Sequence, residues 1–366
     1  MLSITTYVAV MTKGIHMNKK ALIAMSGGVD SSVAAYLMLQ KGYDCMGATM
    51  RLYDKFPLNE EKNLSDINDA KSVCSTLGID FHVLECREEF KKEVIDRFIS
   101  IYENGGTPNP CIECNRYMKF GFFLEAAKSL GCNKIATGHY ARVTEENGRF
   151  YLKKAADVKK DQTYFLYSLT QQQLKMVEFP LGSMTKDEIR SLAKEQGFVS
   201  AHKSDSQDIC FVPDGDYINV IKSFANKEYP TGNFVDVFGN SLGIHGGIIN
   251  YTVGQRKGLG IAFGEKMYVK EKNINTNEVV LAKNEDLFSN SLDAYDFNWI
   301  VFDNPPDKIK AKAKVRYSTT EADCTVFVTE KDKVHIEFAT PQRAIAKGQA
   351  VVIYDGDTVL GGGTIK

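Results

Sequence analysis

The sequence predicts an α/β protein with an N-terminal doubly wound parallel sheet, a small β-rich central domain and a C-terminal β-barrel. Strand and helix patterns alternate from Lys19 to about Gln207, which is typical of a parallel sheet. Glycine-rich turns follow to about Lys283, and strict period-two alternation from Leu287 onwards indicates a small barrel or sandwich. We therefore divide the chain into residues 1–16, 17–212, 213–286 and 287–366.

The composition is that of a globular protein with real cores, because 43% of the 366 residues are hydrophobic and 25% are charged. The net charge is −1, so a polyanionic partner must bind a local basic surface. No apolar run approaches the roughly 20 residues that a membrane span needs. Eight cysteines in a chain of this length do not form a secreted disulfide framework, and we expect a cytoplasmic protein without a membrane partner.

The leader before Met17 is a poor targeting signal, because it has no arginine and no charged first region. Met17, which stands directly before Asn18 and two lysines, is a better start. We expect residues 1–16 to form a disordered extension.

The stretch Ala21–Leu39 indicates a strand, a glycine turn and a helix. The turn is Ser-Gly-Gly-Val-Asp-Ser-Ser, in which two glycines allow a tight bend and close approach of a ligand. Free N–H groups of the first helical turn and the serine hydroxyls then form a nest for an anion. The Walker lysine is absent, and the alternative is an ordinary turn in which Asp30 or Ser31 caps the helix.

Further strands and helices follow in alternation. The predicted strands are 45–50, 81–84 and 134–137, and the predicted helices are 66–77, 90–102, 120–130 and 187–196. Thr185 and Glu188 form a capping box at the start of the last helix. Ligands bind beyond the carboxyl ends of parallel strands, so the turns at 26–32, at Met50 and at 138–141 are expected to surround one nucleotide.

Three of the cysteines stand apart from the others. Cys111 and Cys114 form a C-x-x-C pair in the segment 105–115, which we predict to be a loop because Pro108 and Pro110 prevent regular helix. Cys210 lies in another loop-like segment, whereas the remaining thiols have apolar, periodic contexts and are expected to be buried. The three could hold zinc, be structural thiols, or perform thiol exchange chemistry.

Seven motifs, found in one order along the chain, carry a resemblance. They are Ser-Gly-Gly-Val-Asp-Ser-Ser, Thr-Pro-Asn-Pro-x-x-x-Cys-Asn, Thr-Gly-His-Tyr-Ala-Arg, Lys-Asp-Gln-Thr-Tyr-Phe-Leu, Ser-Gln-Asp-Ile-Cys-Phe-Val, Tyr-Thr-Val-Gly-Gln-Arg-Lys-Gly-Leu-Gly and Gly-Gly-Gly-x-Ile. The first resembles the signature of the PP-loop ATP pyrophosphatases. Together they resemble the tRNA-specific 2-thiouridylases of the MnmA family, from about Lys19 to Lys366.

The resemblance implies a three-domain, ATP-dependent enzyme in which Cys114 and Cys210 are the two catalytic cysteines. The residues expected to hold ATP, with Mg²⁺, are Ala24, Met25, Ser26, Gly27, Gly28, Val29, Asp30, Ser31, Met50 and Gly138. Those expected to touch the target base are Asn109, Pro110 and Cys111. Those expected to contact the tRNA are His139, Lys160, Asp161, Gln162, Arg316, Tyr317 and Gln349.

The implied reaction replaces the C2 oxygen of the wobble uridine with sulfur. ATP adenylates that oxygen and so makes it a leaving group. A sulfur-relay donor protein charges Cys210 as a persulfide, sulfur passes to C2, and a Cys114–Cys210 disulfide closes the cycle. The base must leave its stack to reach the site, while lysines and arginines bind phosphates.

The chain departs from the family pattern at Cys111, where many members have an aspartate that serves as general base. An ordinary thiol, whose pKa is near 8.5, cannot simply inherit that role. Cys111, Cys114 and Cys210 could instead hold three corners of a [4Fe–4S] cluster with one iron open. The alternative is a Cys111 that is only a neighbour of Cys114.

Two other functions fit parts of the sequence. A different PP-loop ligase or amidotransferase would use the same turn on a small molecule and would not require Cys114 or Cys210. A non-enzymatic RNA-binding module would bind tRNA without consuming ATP. The basic residues at 153–160 and 312–316 would otherwise be solvated surface.

Overall fold

The computed structural model describes residues 19–53, 60–203, 209–212, 215–261 and 264–366. The expected extension 1–16 lies outside these ranges. The strands are β1 Lys20–Ala24, β2 Asp44–Arg51, β3 Asp80–Glu85, β4 Lys134–Ala136, β5 Ala141–Glu146, β6 Arg149–Lys154, β7 Val177–Glu178, β8 Gly232–Val235, β9 Ser241–His245, β10 Tyr268–Asn273, β11 Glu278–Ala282, β12 Phe288–Trp299, β13 Lys308–Lys314, β14 Ala322–Glu330, β15 Lys333–Arg343, β16 Ala350–Asp355 and β17 Thr358–Ile365.

The α-helices that the structure describes all precede β8. They are α1 Val29–Gln40, α2 Glu60–Leu77, α3 Arg87–Phe90, α4 Asp96–Glu103, α5 Pro110–Glu113, α6 Phe123–Ser129, α7 Gln171–Met176, α8 Lys186–Glu195 and α9 Tyr217–Ala225. The π-helical stretches Lys91–Ile95 and Cys114–Phe122 join α3 to α4 and α5 to α6. The predicted capping box at the start of α8 is present.

The parallel sheet has the strand order β3-β2-β1-β4-β7. The chain runs outward from β1 through β2 to β3 and then returns to place β4 on the other side of β1. Because the order reverses between β1 and β4, their carboxyl ends flank the crevice where such sheets bind ligands. The predicted α/β class and parallel sheet are confirmed.

The C-terminal strands close into an antiparallel barrel. Six of them follow the order β12-β15-β14-β13-β16-β17, and β17 pairs back with β12. The hairpin β5–β6, which the sequence analysis did not predict, comes from the N-terminal half and pairs with β17 through Lys153 and Thr358. One hydrophobic core includes Leu22 of the sheet and Val352 of the barrel, so the two are packed as one body.

The central region forms a second sheet with the order β10-β11-β8-β9. It packs on the helix α3–α4, since Phe90 and Phe98 share a hydrophobic core with Phe234 and Val279. The glycine-rich turns are those of a small β domain, as expected, although α9 precedes its first strand.

The prediction of a loop over residues 105–115 is wrong in its second half. A helix begins at Pro110 and continues through Cys111 and Cys114, with Asn109 as its N-cap residue. Proline is favoured at the first position of a helix, because the N–H that it lacks has no partner there. The remaining extended part, which we call the proline segment (Gly105–Pro110), connects α4 to this helix.

Candidate active site

The turn after β1 is closed by its serine hydroxyls. The Ser26 N–H and hydroxyl both donate to Ser31 Oγ at 3.2 Å, and Ser31 Oγ donates to the Gly28 carbonyl at 3.0 Å. Gly27 has a φ of +71°, and a Cβ there would lie 2.4 Å from the Asp66 carbonyl oxygen. Gly28 is the N-cap of α1 and has no side chain with which to cap it. The first turn of α1 can therefore offer its N–H groups to an anion.

The turn is joined to the end of β4 and to the start of α8 through Asp30. Tyr140 Oη donates to Asp30 Oδ1 at 2.7 Å, and Lys186 Nζ donates to the two carboxylate oxygens at 2.8 and 2.9 Å. A Cβ on Gly138 would come within 2.9 Å of Asp30, so these backbones are in close contact. Lys186 is only 8% exposed. A buried lysine therefore neutralises the carboxylate in this turn (residues 26–32), which we call the nucleotide turn after its predicted role.

His139 lies between Gly138, which packs against the nucleotide turn, and Lys119, which lies beside the thiols. Its Nδ1 lies 2.7 Å from Thr137 Oγ1, and its Nε2 accepts a hydrogen bond of 3.4 Å from Lys119 Nζ. Burial, together with the charge of Lys119, holds the pKa of His139 well below its usual range. The imidazole is therefore neutral, and it orients the lysine ammonium.

The three singled-out cysteines come together beside Lys119. Burial raises the pKa of Cys210 to about 12, with further contributions from Cys114 and Cys111, while Lys119 acts in the opposite direction. Burial likewise raises the pKa of Cys111 and of Cys114, and Lys119 again opposes it. Each of these effects needs the charges to be neighbours. The structure thus gathers three thiols around one ammonium.

The thiols can be reached by solvent. Cys111 and Cys210 are exposed and Cys114 is partly exposed, whereas the other five cysteines are buried as expected. Cys111 and Cys210 touch solvent although burial is the main cause of their raised pKa, which indicates that they lie in a concave part of the surface. Tyr53 Oη donates to the Cys210 carbonyl at 3.0 Å and ties the second thiol segment to the end of β2.

These residues do not form a ready metal site. Among the residues that the structure describes, no group of three His, Cys, Asp or Glu side chains is arranged to hold a metal ion. The three thiols, as they are arranged here, therefore do not fit a zinc ion or a [4Fe–4S] cluster.

The residues expected to contact tRNA are largely engaged within the protein. Gln162 accepts from the Tyr140 N–H at 2.9 Å, and Asp161 accepts from the Ala155 N–H at 2.9 Å. Arg316 donates to two backbone carbonyls, both at 2.9 Å. The backbone N–H of Lys160 donates to the Asp157 carbonyl at 3.0 Å.

Three further members of this set differ in exposure. His139 and Gln349 are buried, at 7% and 8% exposed. Tyr317 is 39% exposed, with its ring centroid 4.5 Å from that of Phe165. In this arrangement Tyr317 is therefore the more available surface for a stacked base.

Lys119 and Lys186 were not identified from the sequence. Lys186 could have been noticed, because a lysine in the first turn of a helix interacts unfavourably with the helix dipole. Its presence there indicates a specific anionic partner. Lys119 lies five residues after Cys114 in a π-helical stretch, where the fifth residue closes the hydrogen-bonded turn. That geometry cannot be read from an ordinary helical period.

Lys119→Met is expected to slow alkylation of Cys114 and Cys210 several-fold at pH 8. Loss of the ammonium removes the charge that opposes their raised pKa, so less thiolate is present. Iodoacetamide labelling, followed by mass spectrometry across a pH series, measures this. Lys128→Met, on the exposed side of α6, is the matched control. Equal labelling of Lys119→Met and wild type would contradict the prediction.

No helix in the described part of the chain is both long enough and apolar enough to cross a membrane.

The fold and the site together define a class, the nucleotide-binding α/β proteins with a glycine turn after the first strand. Family models match three successive regions: the tRNA methyl transferase HUP domain at 19–214, the tRNA methyl transferase PRC-barrel domain at 218–283 and the aminomethyltransferase beta-barrel domain at 289–365. The first covers more than half of the chain.

Curated relatives are similar over nearly their whole length. The tRNA-specific 2-thiouridylase MnmA of Clostridioides difficile is 50% identical over 96% of this chain and 99% of its own. Those of Clostridium acetobutylicum and Acetivibrio thermocellus are each 48% identical, over 96% and 95% of this chain and 100% and 99% of their own. The chain belongs to the tRNA-specific 2-thiouridylase family.

Proposed function

We propose that the protein is an ATP-dependent tRNA sulfurtransferase that converts the wobble uridine (U34) of tRNA to 2-thiouridine. One observation carries the proposal most directly. Asp30 in the nucleotide turn packs against Gly138, the next residue His139 accepts from Lys119, and the charge of Lys119 opposes the raised pKa of all three thiols. A base adenylated at the turn would thus lie near sulfur carried on a side chain.

In the proposed reaction, ATP binds over residues 24–31, with Met50 and Gly138 completing the site. The C2 oxygen of uridine attacks the α-phosphorus, and pyrophosphate leaves. Both oxygens of the Asp30 carboxylate already accept hydrogen bonds from Lys186, and one also accepts from Tyr140, so Mg²⁺ would bind mainly through the ATP phosphates. When bound, the ion would neutralise part of the phosphate charge.

Sulfur transfer then uses the two catalytic cysteines. The terminal sulfur of a Cys210 persulfide attacks C2, Cys114 attacks Cys210 Sγ and breaks the S–S bond, and AMP leaves from C2. The products are 2-thiouridine, AMP and a Cys114–Cys210 disulfide, which an external dithiol reduces. The persulfide comes from a sulfur-relay donor protein. Exposure of Cys210 supports delivery from such a partner.

The tRNA is proposed to be one with a wobble uridine, as in glutamate, glutamine and lysine tRNAs. Asn109, Pro110 and Cys111 would touch the base that is turned out of its stack. His139, Lys160, Asp161, Gln162, Arg316, Tyr317 and Gln349 would lie at or beneath the RNA surface. Stacking on Tyr317 is supported by its exposure.

The test is thiolation of a transcribed tRNA bearing U34 by the full-length protein, with ATP and a persulfide source. We expect 2-thiouridine to form only when ATP is present, and a transcript with cytidine at position 34 to remain unmodified. Liquid chromatography with mass spectrometry measures the product. ATP consumption without thiouridine would favour a ligase acting on a small molecule, and tRNA binding without ATP consumption would favour a binding module.

A further inference from the structure

The barrel holds the proline segment by its backbone. The Thr107 N–H donates to the Lys347 carbonyl at 2.7 Å, and Gln349 Nε2 donates to the carbonyls of Thr107 and Pro108 at 2.9 and 3.1 Å. The contact is close, because a Cβ on Gly106 would lie 3.0 Å from the Lys347 carbonyl oxygen. The segment that leads to Asn109 and Cys111 is therefore fixed from one side by the C-terminal domain.

The central sheet holds the same segment from another side. Lys272, on β10, donates from Nζ to the Gly106 carbonyl at 3.0 Å and to the Tyr251 carbonyl at 2.9 Å. Its ammonium also lies 5.4 Å from the ring centroid of Tyr102, at the end of α4. One side chain thus connects the central sheet, α4 and the proline segment.

Burying the Lys272 ammonium to make this connection is energetically unfavourable. It is 8% exposed, and its ammonium donates to two backbone carbonyls rather than to a carboxylate. Burial lowers its pKa to about 8. A buried ammonium without a carboxylate costs free energy, and a methionine would fill the same space without that cost. What the ammonium adds, and a methionine could not, is a hydrogen bond that fixes the position of the Gly106 carbonyl.

We propose that Lys272 is a positioning residue for base thiolation, which holds the proline segment so that Asn109 and Cys111 face the target base. The inference rests on the proposed function for its consequence in catalysis, whereas the restraint itself is independent of it. The central domain would thereby contribute, through Lys272, to the geometry of the base site.

The first measurement is hydrogen exchange in wild type, Lys272→Met and Lys270→Met, all as full-length protein. Lys270 is an exposed lysine on the same strand, which makes it the matched control. We expect peptides covering 103–109 to exchange at least about fivefold faster in Lys272→Met only, with the parallel sheet unchanged. Equal protection of this segment in both variants would overturn the proposal, whether or not the wild type thiolates tRNA.

The second measurement is single-turnover thiolation. We expect Lys272→Met to lower the rate at saturating tRNA and ATP by about tenfold while the KM for ATP stays within twofold of wild type. A residue needed only for folding would instead lower the active fraction and leave the rate per active site unchanged.

A third variant, Lys272→Gln, retains a neutral donor and should recover part of the rate. If Lys272→Met does not fold, Lys272→Gln is compared in both measurements. Wild-type exchange and wild-type rate in that variant would then refute the role assigned to the ammonium.

Discussion

Replacing Cys210 with serine is expected to lower 2-thiouridine formation by about 10³-fold or more, while ATP binding stays at the wild-type level. A serine oxygen cannot carry a transferable sulfur, and no other thiol holds the same place opposite Cys114. Cys114→Ser should cause a similar loss at a later step. The Cys210 persulfide could form, but no thiol would be present to attack Cys210 Sγ and release the transferred sulfur. Mass spectrometry of the nucleoside and of the Cys210 peptide separates the two steps.

The controls for this prediction come from the other cysteines. Cys324 is buried in the barrel, so Cys324→Ser should keep activity per folded molecule. Cys111→Ser distinguishes a persulfide from a cluster: the persulfide route expects less than about a tenfold loss, whereas a three-thiolate cluster would be destroyed along with its iron. Full activity of Cys210→Ser would refute the proposed chemistry.

Lys186→Met is expected to reduce tRNA-dependent pyrophosphate release by about 100-fold. The substitution leaves the Asp30 carboxylate, which is partly buried in the nucleotide turn, without its bidentate ammonium. Loss of one partner of a buried pair costs roughly 3–5 kcal/mol where the remaining charge cannot rehydrate, and Asp30 is exposed enough to recover part of that. The turn is expected to shift by enough to misplace the phosphates.

The matched control is Lys194→Met in the last turn of α8, where the side chain is exposed and pyrophosphate release should stay within about twofold. The double variant Asp30→Asn with Lys186→Met should lose less stability than the sum of the single losses, because the two groups interact directly. Wild-type pyrophosphate release by Lys186→Met would show that the ion pair does not position the turn.

Much of the fold was predictable because it is encoded locally. Apolar runs of four to six residues, helices with their own caps and period-two strands each depend on neighbours in the chain. The capping box at Thr185 is one example that appears as predicted. The hairpin β5–β6 was missed because half-exposed strands with polar residues on both faces carry a weak pattern, and its partner β17 is about 200 residues away.

The loop prediction for Cys111 failed for a related reason. A proline was interpreted as a helix breaker, although at the first helical position it favours a helix. Cys111 and Cys114 consequently project from a helix that continues to Ser129, and a helix holds side chains in a more defined geometry than a loop does.

The sequence by itself determined which residues are candidates for the chemistry of this protein: a glycine turn suited to an anion, and thiols separated from the ordinary buried cysteines. Those features depend on residue type and short spacing. Only the tertiary structure decided which cations serve them, with Lys119 at the thiols, Lys186 at Asp30 and Lys272 at the proline segment. A lysine has the same local pattern on a solvated surface as in a buried site, and its role is set by which distant carboxylate, thiol or carbonyl the fold brings to its ammonium.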